Sequence, residues 1–372
     1  MEYPVRKLNE LVTFRREVAS CHKATIYDYI STENMLSDRG GVVEATNVPA
    51  KGKVKIFNKG DILISNIRPY FKKILKAKFD GYCSSDVLVL TPVSLSDEDY
   101  LYGVLSADTF FDYVTKTSKG TKMPRGDIDA IRNYSVPWPD HEMRTFIGEV
   151  YSTIDKKLDA NKLINKNLLD LARRLFDQEY QKARKVVPFT DLIQINGGGT
   201  PKTGVKDYWG GSIPFFTPKD VGDPITLETE KYITEPGLAK CNSRLYPKGT
   251  TFVTARGTVG KLGLAGVPMA VNQSCYALTS EIIPSSLIYF FAEKTVKSLR
   301  KKANGVVFNA IVMRDFNSER VKEIKPTVLS KLSEVIRPLI DIMIINEEEN
   351  IQLANIRDSL LPKLLSGEIK LS

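Results

Sequence analysis

The sequence predicts an α+β fold built twice: two related mixed domains, each followed by one long helix, with the helices packed antiparallel about a pseudo-two-fold axis. Three observations carry this: landmarks that recur at half the chain length, two long helix-like segments, and a seven-residue apolar spacing in both. At 372 residues the chain also exceeds what one hydrophobic core usually organises. The expected division is a first domain over residues 1–140, a central helix over 141–183, a second domain over 184–327, and a C-terminal helix with its tail over 328–372.

The repeat shows in order and spacing more than in identity. Lys59-Gly60 before DILIS returns as Lys248-Gly249 before TTFVT, and Phe110-Phe111 returns as Phe290-Phe291. The basic run Lys116, Lys119, Lys122 around Gly120 is matched by Lys297, Arg300, Lys301, Lys302 before Gly305. In the helix-like stretches 141–181 and 328–365, Ile147, Ile154, Asn161, Leu168 and Leu175 fall seven apart, with Val150, Ile164 and Leu171 on a neighbouring seam. Leu332, Leu339, Asn346, Leu353 and Leu360 repeat the spacing 185 residues later. Pro338 should distort the first turns of the second helix. A central asparagine in each seam costs stability but penalises wrong registers, so Asn161 and Asn346 are expected to meet near the axis. The alternative is two exposed polar interruptions.

Lys and Arg outnumber Asp and Glu by 53 to 44, and residues 51–78 hold nine basic residues against one acid, Asp61. Such a surface suits a polyanion, though charge alone does not separate nucleic-acid binding from a solvated face. Cys21, Cys83, Cys241 and Cys275 lack the CxxC spacing of zinc sites and read as buried thiols. The N-terminus MEYPVRKLNE has no signal-peptide character and the most apolar later stretch, 335–345, contains Arg337 and Asp341, so a cytoplasmic protein without a membrane partner is expected.

Enzyme chemistry finds little support. Only His22 and His141 exist, far apart in sequence. No cofactor-binding loop followed by an NPPY-like or DPPY-like site is present. Glu323-Ile324-Lys325 with Asp315 upstream has the residue types of a metal nuclease but sits where the connection to the second helix is expected. Gly197-Gly198-Gly199-Thr200 would let backbone amides approach a phosphate or simply form a tight turn; it lacks the P-loop spacing.

The second half, through Gly197-Gly198-Gly199-Thr200-Pro201-Lys202, Thr217-Pro218-Lys219-Asp220, Ala255-Arg256-Gly257-Thr258-Val259-Gly260-Lys261 and Asn272-Gln273-Ser274, resembles a target-recognition domain of Type I restriction-modification specificity subunits. The first half resembles another branch of that domain through Asn66-Ile67-Arg68-Pro69-Tyr70-Phe71-Lys72-Lys73, Cys83-Ser84-Ser85-Asp86 and Gly120-Thr121-Lys122-Met123-Pro124-Arg125-Gly126. The helix tails, Ala172-Arg173-Arg174-Leu175-Phe176 and Arg357-Asp358-Ser359-Leu360-Leu361-Pro362-Lys363-Leu364, match as well, so the resemblance covers essentially the whole chain.

The resemblance implies a non-catalytic subunit that reads double-stranded DNA and gathers two methyltransferase subunits, then restriction-translocase subunits. S-adenosylmethionine would belong to the methyltransferase; this chain itself is expected to need no cofactor or metal. The DNA-contact candidates are Asn66, Arg68, Lys72, Lys73, Lys122, Arg125, Thr200, Lys202, Lys219, Arg256, Asn272, Gln273, Lys301 and Lys302. An Arg fork fits guanine O6 and N7, Asn and Gln amides fit adenine, and lysines fit phosphates. Trp209 reads as a packing anchor. The competing reading is a coiled-coil adaptor or RNA-binding scaffold, which salt-dependent duplex binding separates.

A helix of about 40 residues spans about 60 Å, so the helix pair should act as a spacer between two half-sites. The short terminal segments are expected to complete each other's domains. Inserting one heptad into both helices should lengthen the unread spacer and leave both half-sites unchanged in a methylation map; altered half-sites would mean that the helices are not a spacer.

Overall fold

The computed structural model describes residues 3–222, 224–302 and 310–369. It divides into two compact units, Met1–Leu158 with Gln352–Ser372, and Asp159–Ile351. The division cuts through both long helices rather than falling at their ends.

In the first unit β1 (Val12–Phe14), β2 (Ile62–Ser65), β3 (Ile74–Lys76) and β4 (Val87–Pro92) form an antiparallel sheet in the order β1-β4-β2-β3. Strand β2 is buried on both faces because alternate side chains point opposite ways. Ile62 and Ile64 pack on α1 (Glu98–Ser106) and α2 (Asp108–Thr117) through Leu101, Phe110 and Phe111, whereas Leu63 joins Phe57, Val87 and Val89 on the other face. A second sheet orders Val18–Ser20, Lys53–Phe57, Gly81–Cys83 and Tyr29–Ile30, and a ribbon pairs Val5–Lys7 with Ser135–Pro137.

The first long helix, α3, is His141–Lys182. Its beginning is held by Arg144, whose guanidinium meets the buried Asp97 carboxylate at 2.8 Å and lies 4.1 Å from the Trp138 ring centre.

The second unit repeats the topology. Its strands are β5 (Gln194–Gly197), β6 (Ile225–Thr226), β7 (Thr251–Thr254), β8 (Leu262–Ala265) and β9 (Cys275–Thr279), in the order β5-β9-β7-β8-β6. Removing β6, a parallel edge addition beside β8, leaves the strand order and pairing sense of the first unit. The ribbon recurs as Val186–Pro188 with Arg320–Lys322. Helix α4 (Ser285–Lys302) buries Phe290 and Phe291 over the sheet, and α5 (Pro326–Ser366) follows.

Helix α5 starts two residues earlier than the sequence suggests, with a proline in its first position, where the missing N–H costs nothing. It also continues unbroken through Pro338 rather than being interrupted there. Pro338 and Glu334, the residue whose carbonyl loses its donor, are both exposed, so water can hydrate the freed oxygen.

The helices pack antiparallel within each unit. In the second, Ala172 and Phe176 share a core with Leu332, Ile336, Ile340 and Met343. In the first, Ile147 and Tyr151 share one with Leu361 and Leu364, so the C-terminal segment completes the N-terminal unit.

Two details of the seam differ from the sequence reading. The buried neighbours of the heptad positions are Tyr151, Leu158, Asn165 and Ala172, four residues on, not three; Ile164 and Leu171 are 43% and 46% exposed. Asn161 and Asn346 do not pair with each other. Asn161 Nδ2 donates to Asn350 Oδ1 at 3.0 Å and to Glu349 at 2.8 Å, while Asn346 Nδ2 donates to Asn165 Oδ1 at 2.8 Å. The two asparagine pairs are related to each other by the 185-residue repeat. An antiparallel crossing brings each asparagine against the other helix's residue four positions away from its own counterpart.

Three of the cysteines are buried free thiols, and Cys241 is half-buried. Among the described residues no helix is long and apolar enough to cross a membrane.

Candidate DNA interface

Three chain segments meet beyond the end of β2 and are laced by their backbones. Ser65 N–H donates to Lys73 O at 3.0 Å, Asn66 N–H to Asp86 O at 2.8 Å, and Gly126 N–H to Asn66 O at 3.1 Å. The second unit makes the same three bonds beyond β7: Thr254 to Lys261 at 2.9 Å, Ala255 to Ser274 at 2.7 Å, and Ile311 to Ala255 at 2.9 Å. Asn66 therefore corresponds to Ala255, Asp86 to Ser274, and Gly126 to Ile311. In this register Arg68 corresponds to Gly257, not to Arg256, because Arg256 leaves its strand one residue earlier.

On the first junction Arg68 and Lys122 are exposed, with no ion pair among the described residues. The other first-half candidates are engaged within the chain. Lys72 Nζ meets Asp108 at 2.8 Å, and the same carboxylate takes the nearly buried Arg39. Burial works to raise the Asp108 pKa, but hydrogen bonds from Lys72 and Arg39 outweigh it and hold the carboxyl below its usual range.

Lys73 Nζ donates to Thr32 O at 2.7 Å, and partial burial pulls its pKa down. Arg125 remains 57% exposed while meeting Asp86 at 3.0 Å. The Asn66 amide oxygen is buried, and an added Cβ on Gly126 would come within 2.7 Å of it, so this side chain lies inside the junction rather than on its rim. These internal contacts share a cause: the partners are distant in sequence and become neighbours only when the loops close.

In the second unit the glycine run does not offer a free nest of amides. Gly198 N–H donates to Cys275 O at 3.3 Å and Gly199 N–H to Val271 O at 3.1 Å. The glycines are required because backbone passes backbone there: a Cβ on Gly198 would meet Asn272 O at 2.1 Å. Thr200 is hydrogen-bonded to the exposed Gln273. Asn272 turns its amide oxygen back to Ser274 N–H at 3.0 Å.

Lys219, 78% exposed, pairs with Glu230 at 3.2 Å, and Lys302 pairs with the buried Glu319 at 2.6 Å. Lys202, Arg256 and Lys301 are exposed. Burial raises the Tyr276 phenol pKa, and the nearby Arg256 charge works against that rise. Trp209 packs edge-on to Phe215 at 5.5 Å and donates to Lys202 O at 3.3 Å, as expected of an anchor. Gly305, matched in sequence to Gly120, lies outside the described residues.

The nuclease-like residues do not assemble. Asp315 caps the Val312 N–H at 2.8 Å, Glu323 pairs with Lys185 at 2.5 Å, and Ile324 is buried in the core. Asp38, Arg39, Asp108, Asn165 and Asn350 were missed by sequence reasoning. The signal available for the last two was their 185-residue separation.

A junction laced by the same three backbone bonds in both units, with exposed cations on it, defines a duplicated polyanion-binding class of protein. The sequence pattern of the Type I restriction modification DNA specificity domain matches residues 2–169 and 182–325. The chain is 22% identical over 436 aligned positions to the Type I restriction enzyme HindI specificity subunit of Haemophilus influenzae, covering 92% of this chain and 94% of that one. It is 34% identical over 120 residues to the MjaIX specificity subunit of Methanocaldococcus jannaschii, covering 31% of this chain and 28% of that one.

In fold it is similar to the crystal structure of a Type I restriction-modification S subunit from M. genitalium, with a TM-score of 0.61 at 14% identity over 100% of this chain and 97% of that one. The chain belongs to the Type I restriction-modification DNA specificity family. Its role is DNA sequence recognition, and it is not itself a catalytic subunit.

Proposed function

We propose that the chain reads a split DNA target with two unlike half-sites and gathers two methyltransferase subunits, and through them restriction-translocase subunits, around it in the cytoplasm. The observation that carries the reading is the backbone junction built twice with different residues on it: Asn66, Arg68 and Asp86 in one unit, Ala255, Gly257 and Ser274 in the other. One scaffold with two sets of side chains suits two half-sites of different sequence.

Partner docking is supported by the outward apolar stripes of the long helices. Ile164 and Leu171 on α3, and Val335, Ile342 and Ile356 on α5, are 43% to 53% exposed at heptad spacing. Such a seam fits a helix of a methyltransferase subunit, which would carry S-adenosylmethionine.

A methylation map of the host genome with and without this gene tests the proposal. Loss of one split motif with two unlike halves is the expected result. If active methyltransferase subunits keep methylating the same motif without this chain, the reading is overturned. Duplex binding that does not weaken as salt rises would favour the adaptor instead.

A further inference from the structure

The turn after the laced strand has the same unusual backbone in both units. In the second unit it runs from Gly257, φ 78°, to Gly260, φ 74°; in the first it runs from Arg68, φ 50°, to Lys72, φ 49°. Both turns open and close at left-handed positions, with one residue fewer between them in the second. Glycine takes that conformation without strain, whereas a side chain with a Cβ is strained there. The second unit thus demonstrates the unstrained solution, and the first does without it at both positions.

At Lys72 the side chain has an internal function, its ion pair with Asp108. Arg68 has none: it is exposed, with no side-chain hydrogen bond or ion pair among the described residues. Its backbone is nevertheless tightly held. Arg68 N–H donates to Pro124 O at 2.7 Å, Phe71 N–H to Arg68 O at 3.0 Å, Asp38 N–H to Phe71 O at 2.8 Å and Arg39 N–H to Lys72 O at 3.0 Å. Asp38 and Arg39, which brace the turn, are themselves left-handed at φ 52° and 61°. Strain held by this much surrounding structure, at an exposed residue whose side chain makes no hydrogen bond or ion pair among the described residues, points to a ligand outside the chain.

We infer that Arg68 is the base-reading residue of the first half-site, its guanidinium fork addressing O6 and N7 of a guanine in the major groove. This rests on the proposed function and adds the residue and the base. A base edge is favoured over a phosphate for two reasons. A phosphate can be met by a flexible lysine such as the exposed Lys122, whereas a bidentate base contact needs a fixed Cα. The rings beside Arg68 are also partly exposed aromatics: Tyr70 is 47% and Phe71 37% exposed, with centres 4.7 Å apart, a surface suited to base edges and thymine methyls.

The test uses the full chain assembled with its methyltransferase subunits and compares wild type with Arg68→Gly and Arg68→Lys. Arg68→Gly should melt at the same or a higher temperature. Both variants should relax the methylated motif at one guanine in one half-site and leave the other half intact. Affinity for the specific duplex should fall about tenfold or more while that for unrelated duplex changes less than about threefold. Placing 7-deazaguanine at that position should weaken wild type and leave Arg68→Gly unaffected.

An unchanged motif, an equal loss on specific and unrelated duplex, or a destabilised Arg68→Gly would each overturn the inference. If wild type itself produces no split motif, the proposed function fails first, so the two failures are distinguishable.

Discussion

Gly198→Ala is expected to destabilise the second unit by about 3 kcal/mol and to disable its DNA-reading rim, whereas Gly197→Ala, one residue away, is neutral or slightly stabilising. The methyl group at 198 would meet two backbone oxygens, Asn272 O at 2.1 Å and Val271 O at 2.4 Å, and neither can move as a flexible side chain would. Those residues carry the Asn272 N–H bond to Phe216 O and the turn that presents Gln273, so displacing them moves the rim itself. At Gly197 nothing lies within 4 Å of the added Cβ, and alanine restricts the unfolded chain. For a unit of this size about 3 kcal/mol corresponds to about 6–12 °C in melting temperature. Thermal unfolding of the two variants with salt-titrated duplex binding checks this; equal behaviour would show that the glycine run is not packed against residues 271–272.

The second large effect lies in the helix seam. Asn161→Leu removes the donor to Asn350 Oδ1 in a site where Asn161 is fully buried and Asn350 only 7% exposed, and should cost about 2–3 kcal/mol. Asn350→Leu should cost a similar amount. The double variant replaces both ends of the Asn161–Asn350 bond by apolar groups and should recover part of the loss, the Glu349 and Glu347 carboxylates still losing the donors these amides supplied, giving a coupling of about 1–3 kcal/mol. Asn161→Leu with Asn346→Leu, the pair that the heptad spacing alone brings together, should couple less, because each has a different partner. Losing the polar pairs should also relax register, seen as additional oligomeric species in sedimentation. Denaturant midpoints for the four corners of each cycle decide it; additive Asn161 and Asn350 effects would remove the pairing.

The candidate site was only partly legible beforehand. Its scaffold was, because Lys59-Gly60 and Lys248-Gly249 mark equivalent strands and the motifs that follow them form the rims. The assignment of fourteen polar residues to DNA was far less so. Lys72, Lys302, Lys219 and Arg125 find acids 36, 17, 11 and 39 residues away, and Lys73 finds a carbonyl 41 residues away. Arg68 and Arg256 look equivalent by their place after a strand, yet the matched hydrogen bonds set them one position apart.

The sequence by itself determined the duplicated α+β architecture, the two long helices and the membership of a DNA-reading family. These follow from periodic apolar spacing and from landmarks recurring in order, both properties of a one-dimensional string. Only the tertiary structure decided which cations remain outside internal ion pairs, which asparagines meet across the seam, why the glycine run is made of glycine, and that Arg68 occupies a strained position where the other half uses glycine. Each depends on an approach between distant segments, where a shift of one residue in register changes which groups touch.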